Sequence, residues 1–152
     1  MPLHVEVVTQ QRKLLDLPDA DMVVIPAREG VMGVLPNHSP ILTTMQYGEL
    51  IVKRGNAQES FIVYGGVVEI RPTKVTVLAD EASFTGGINI REAEAARDRI
   101  AQILEEGVPP EEQTLYLQEM RKAELAINVY RRTQSRAGSI RIVSDEELYE
   151  ED

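Results

Sequence analysis

The sequence predicts a mainly β chain with an α-helical addition: an N-terminal antiparallel β-sandwich, then an antiparallel two-helix hairpin, then an acidic, disordered tail. Three observations predict it. Up to about residue 84, short apolar-alternating runs recur every eight to twelve residues with Gly, Pro, Asn or Asp between them, the signature of a sandwich or barrel. From residue 88 the apolar spacing changes to steps of three and four, the period of a helix. The last nine residues carry six acidic side chains, too few apolar groups to offset the entropy of ordering. The expected boundaries are 1–84, 88–134 and 135–152.

In chain order, Leu3, Val5 and Val7 alternate with His4, Glu6 and Val8 as in a half-buried strand, and Lys13 to Asp16 returns as its hairpin partner. Pro18-Asp19-Ala20-Asp21 reads as a turn, and Met22 to Ala27 as a more fully buried strand. Ile41–Met45, Glu49–Lys53, Glu59–Tyr64, Val67–Ile70 and Lys74–Leu78 follow as separate strands, broken at Gly48, Gly55-Asn56, Gly65-Gly66 and Pro72. Gly and Asn accept positive φ, so Arg54-Gly55-Asn56-Ala57 is a tight hairpin turn. Val5, Val7, Val23, Ile25, Val34, Leu42, Leu50, Val52, Ile62, Val67, Val75 and Val77 are the core candidates. No helix-length segment separates the strands, which argues against parallel βαβ topology.

Asn89 is placed to cap the first helix, whose stripe is Ile90, Ala93, Ala96, Ile100, Ile103 and Leu104, and Gly107 to close it. Pro109-Pro110 opens the second, with Glu111 and Glu112 at the positive end of its dipole and Tyr116, Met120, Ala123, Ile127 and Tyr130 as its stripe. Both stripes are alanine-rich, so the pair is marginal alone. Ile140-Arg141-Ile142-Val143 has the pattern of one more short strand.

Composition excludes several functions. A net charge of −9 opposes phosphate binding, so no nucleic-acid partner is expected. Without cysteine there is no disulfide or thiolate chemistry, and two histidines far apart, His4 and His38, make a poor zinc case. No run approaches the ~18 apolar residues of a membrane span, and the N-terminus lacks the form of a signal peptide. Gly30-x-x-Gly33 leads into no Gly-Lys-Ser/Thr, and Ser39 beside His38 lacks a third group, so neither a phosphate cradle nor a catalytic residue is expected. No metal and no cofactor are expected either. In a chain otherwise negative, Arg91, Arg97, Arg99, Arg121, Lys122, Arg131, Arg132 and Arg136 gather on the helices. They form either a solvated face paired with residues such as Glu94, Asp98 and Glu119, or a face for an acidic partner or an anion.

The most shaped stretch is Gly30-Val31-Met32-Gly33-Val34-Leu35-Pro36-Asn37-His38-Ser39-Pro40, a turn-strand-turn element fixed by two glycines and two prolines. Its Gly-x-x-Gly-x-x-Pro-x-His-x-Pro pattern, with Tyr47-Gly48-Glu49-Leu50, Phe61-Ile62-Val63-Tyr64-Gly65-Gly66 and Val75-Thr76-Val77-Leu78-Ala79-Asp80, resembles the epsilon subunit of F-type ATP synthase over residues 1–134. The resemblance implies a flat sandwich that bridges the gamma subunit and the ring of c subunits in the rotor. It implies a ring-facing loop over Arg28, Glu29, Met32, Asn37, His38 and Ser39. It further implies a helical pair that extends toward the alpha/beta hexamer and restrains ATP hydrolysis, with Arg97, Arg121, Arg131 and Arg132 as its basic face. Some members hold ATP through an Ile/Leu-Asp-x-x-Arg-Ala pattern, but the matching residues here are Ile88-Asn89-Ile90-Arg91-Glu92-Ala93. Arg91, Arg99 and Lys122 are the cations left to meet a nucleotide. The implied place is the cytoplasmic face of a bacterial membrane, with an organelle-encoded thylakoid protein second. The competing reading is a β-sandwich binding module with a helical interaction arm in another assembly.

Overall fold

The computed structural model describes residues 2–135; the Ile140–Val143 strand, Arg136 and the acidic tail expected from the sequence lie outside them. Two compact units result, one ending at Phe84 and one beginning at Thr85.

The first unit holds β1 (Leu3–Val8), β2 (Lys13–Ala20), β3 (Met22–Ala27), β4 (Gly30–Val34), β5 (Ile41–Arg54), β6 (Ala57–Ile70), β7 (Lys74–Ala79) and β8 (Ala82–Phe84). They pair in the order β2-β1-β7-β6-β5-β3-β4, with β8 also on β6, and the path folds over as a sandwich. Inward residues from all eight strands close one core, including Leu3, Val5, Ile25, Leu50, Phe61 and Ile70. Phe61 and Phe84 meet within it, their rings tilted by 43° with centroids 4.7 Å apart. Every pair is antiparallel except β1 with β7, which runs parallel and joins the ends of the domain with no βαβ crossover.

Three sequence expectations change. The predicted 18–21 turn is strand: β2 continues through Pro18 to Ala20, leaving Asp21 alone between β2 and β3. Pro18 is tolerated because β2 is an edge strand whose pairing with β1 slips between Leu17 and Ala20. The breaks at Gly48 and Gly65-Gly66 are not breaks, since β5 and β6 run through them as one long hairpin closed by the Gly55-Asn56 turn. The glycines instead mark a change of inward face. In β6, Phe61 and Val63 face the core before the pair, and Val68 and Ile70 after it. In β5 the inward set passes from Met45 to Leu50 and Val52 across Gly48. Leu42 and Val67 therefore fall on the outer face and leave the core list; Leu42 is 72% exposed. The other ten core candidates are buried. Gly48 is required by Pro26, because a Cβ there would stand 2.6 Å from the proline's Cβ. Gly66 is required twice: φ is +136°, and a Cβ would stand 2.3 Å from the Leu78 carbonyl oxygen.

The second unit is a 3-10 turn (Thr85–Gly87), α1 (Ile90–Glu106) and α2 (Pro110–Ser135), the two helices lying against each other. Asn89 caps α1, its side chain accepting from the Glu92 backbone N–H, and the Gly107 N–H closes the far end on Leu104. Every residue of both expected stripes is buried or half-buried; Val129 is buried in addition.

Candidate functional site

Turn chemistry and strand pairing shape the 28–40 element. At its first end, the β3–β4 turn holds Arg28 and Glu29, both exposed. The Arg28 N–H donates to the Thr44 carbonyl at 2.9 Å, and the Gln46 side chain donates to the Arg28 carbonyl, fixing the turn on β5. β4 then returns along the sheet edge, with Val34 buried, Met32 half-buried and Val31 exposed. At the second end, Asn37 adopts a left-handed φ of 72°, which its short polar side chain tolerates. Its N–H donates to the Pro72 carbonyl at 2.7 Å, tying this end to the β6–β7 turn. His38 Nδ1 lies 2.7 Å from the Ser39 carbonyl oxygen, so this imidazole contact is to backbone and not to the Ser39 hydroxyl. The six predicted contact residues thus form two ends, Arg28-Glu29 and Asn37-His38-Ser39, exposed except for the half-buried His38, with Met32 between; β4, rising about 13 Å, separates them.

Sequence reading missed the apolar surface beside the first end. Val67 faces Leu78 across β6 and β7, Leu78 faces Val8 across β7 and β1, and Leu42 lies diagonal to Val67 on β5. Leu42, Val67 and Leu78 are exposed and make a continuous outer strip. One end opens into a shallow hollow of about 400 Å³ lined by Arg28, Glu29, Leu42, Thr43, Thr44 and Val67. Leu42 shares the parity of the buried Leu50 and Val52, so only the change of inward face at Gly48 turns it outward, and residue spacing alone does not reveal that change.

In the helical unit the predicted cations do not share one face. At 100° per residue, Arg91 and Arg99 lie on one side of α1, about 12 Å apart along it, while Arg97 sits on roughly the opposite side. Arg97 Nε pairs with Asp98 at 3.2 Å. On α2, Arg121 and Arg132 align three turns apart and Arg131 flanks them, whereas Lys122 is half-buried. The pairing of Arg97 favours the solvated reading for that residue. Asn89, at the aspartate position of the nucleotide pattern, is committed to its cap, and Glu92 is exposed.

Residues 2–85 match the family described as ATP synthase, Delta/Epsilon chain, beta-sandwich domain. The ATP synthase epsilon chain of Roseiflexus sp. (strain RS-1) is 41% identical over 96 residues, 63% of this chain and 68% of that one. In fold, the chain resembles one in the Euglena gracilis mitochondrial ATP synthase structure of OSCP, F1 and c-ring. The TM-score is 0.66 at 18% identity, covering 88% of this chain and 80% of that one. A chain of the Tetrahymena thermophila mitochondrial ATP synthase central stalk and c-ring gives a TM-score of 0.60 at 11% identity, covering 86% and 97%. No helix among the described residues is long and apolar enough to cross a membrane. Shaped turns, an outer apolar strip and the matched sandwich agree: the chain belongs to the ATP synthase epsilon chain family.

Proposed function

We propose that the chain is a non-catalytic rotor subunit of a proton-transporting F-type ATP synthase, on the cytoplasmic face of a bacterial membrane. Its sandwich bridges the gamma subunit and the c-ring, and its helical pair restrains ATP hydrolysis by reaching the alpha/beta hexamer. The observation that carries this reading is the 41% identity to an epsilon chain, joined to a sandwich with more than one partner-ready surface. The 28–39 element faces the ring, where Arg28, Glu29, Met32, Asn37, His38 and Ser39 supply mostly polar contacts on a fixed backbone. The Leu42, Val67 and Leu78 strip covers itself against gamma, because an apolar strip of this kind gains by leaving water.

Regulation is mechanical rather than nucleotide-held. A capping Asn89 and an acidic Glu92 replace the charges that would grip a phosphate, and Arg91, Arg99 and Lys122 do not restore that arrangement. The exposed Arg121, Arg131 and Arg132 favour approach to acidic surfaces of the hexamer. Deleting residues 88–152 should raise ATP hydrolysis by the assembled complex while the complex still assembles. Unchanged hydrolysis would remove the regulatory half of the proposal. A tagged chain should co-purify gamma, c, alpha and beta; recovery of an unrelated complex would favour the binding-module reading. Calorimetry should find no ATP affinity tighter than about millimolar, near 4 kcal/mol.

A further inference from the structure

On the outer face of the sandwich, His4, Glu6 and Asp16 bring one imidazole and two carboxylates together, their ligand atoms all within 4.8 Å of one another. We propose that these three residues form a binding site for a divalent transition-metal ion of the Zn²⁺ type. Strand pairing builds it. Leu3, Val5 and Val7 face the core, which sends His4 and Glu6 outward on β1, and Asp16 is the direct partner of Glu6 on β2. The donors therefore sit on two paired strands rather than on a loop, which fixes their spacing.

His4 Nε2 lies 2.5 Å from Asp16 Oδ1 and 3.7 Å from Glu6 Oε1. A tetrahedral zinc ion about 2.0–2.1 Å from each donor places donors roughly 3.3 Å apart, between those two separations. The His4–Asp16 separation must open by about 0.8 Å and the His4–Glu6 separation close by about 0.4 Å to admit the ion, and the fourth position is left to water. The donor set selects the metal class. One imidazole nitrogen with two carboxylates suits zinc, nickel or copper, whereas calcium takes six to eight oxygen ligands.

Two lysines occupy the cation's place. Lys13 Nζ is 3.1 Å from Asp16 and Lys74 Nζ is 3.2 Å from Glu6. Each is about two-fifths exposed on a flexible stem, so both ammoniums can swing into water when an ion carrying the same total charge enters. The Asp16 carboxyl is held below its ordinary value, chiefly by its hydrogen bond to His4 against the cost of burial, with Lys13 adding. A bound ion would clip edge strand β2 to β1, stabilising the native chain by mass action.

The test is titration of the full chain with Zn²⁺ alone, followed through the imidazole nitrogens by NMR and through the melting temperature. Saturation at His4 with His38 unmoved, and a rise of several degrees in Tm, are expected. His4→Gln should lose the saturable response and its Tm rise while keeping the circular dichroism of the folded chain. Lys74→Ala should tighten Zn²⁺ several-fold by removing a competitor, an effect a purely structural ion pair would not produce. Equal Zn²⁺ binding in His4→Gln, weaker binding in Lys74→Ala, or an equal Tm rise with Mg²⁺ would each overturn the site.

Discussion

The sandwich and the helical pair are held by different kinds of interaction. In the sandwich, inward residues such as Val5, Ile25, Leu50, Phe61, Ile70 and Val77 come from strands distant in sequence and are sealed from water. Among the described residues of the helical unit, the buried apolar side chains are Ile100, Ala123, Ile127 and Val129. Exposed Leu115 and Leu117 lie on α2 as well, so part of its apolar surface is not used within the unit. One unit has a single well-determined packing; the other has a thin seam and spare apolar surface. A thin seam suits an element that changes partners, since a small change in contacts can redistribute it.

Four substitutions test that contrast. The largest effect is expected from Gly66→Val. Its side chain would press on the Leu78 carbonyl and the Ala79 Cα in a backbone conformation only glycine adopts readily. More than about 4 kcal/mol of sandwich stability should be lost in urea unfolding, or folding should fail. Ile127→Ala, at a 2% exposed position, should cost about 2–4 kcal/mol, read as lost helical circular dichroism with the sandwich's methyl NMR signals in place. If the sandwich signals vanished with it, the two units would be one cooperative body and the contrast would fail.

Asn89→Ala removes the α1 cap and should cost about 1 kcal/mol of helix stability, with ATP affinity unchanged. Asp16→Asn is the smallest, under about 1 kcal/mol, because the pairs to His4 and Lys13 are two-fifths exposed and screened. The sign follows from the lowered carboxyl. Its contribution is fully present above the ordinary value of 3.8 and disappears as pH falls through the lower folded value. Unfolding curves of the parent and Asp16→Asn should differ at neutral pH and converge in acid. A gap that widened in acid would reverse the assignment.

Local features were legible in the sequence and long-range ones were not. The cap at Asn89, the stop at Gly107 and both helical stripes follow from neighbours within a turn or two, so residue spacing reveals them. The Gly55-Asn56 hairpin is equally local. The facing of Leu42 and Val67 depends on a mid-strand change at Gly48 and Gly65-Gly66, and a glycine read as a break gives the same local pattern as a glycine that reverses the inward face. The meeting of His4 with Asp16 depends on the register of two strands, so histidine spacing alone gave no metal site. The turn-strand-turn element was read correctly because proline and glycine fix it locally. The apolar strip beside it was not, because it is assembled from β5, β6 and β7.

The parallel pairing of β1 with β7 sets a schedule for synthesis. β1 is the first strand to leave the ribosome and lies between β2 and β7, so one of its edges stays unpaired until residues 74–78 have been made. Such end-to-end pairing delays folding, because a long loop must close before its contacts stabilise anything. The helices emerge only after every strand of the sandwich exists. A chain cut after Phe84 therefore retains every strand of the sandwich, whereas one lacking its first eight residues leaves β2 without a strand partner and β7 paired only with β6, both open to pairing with other chains.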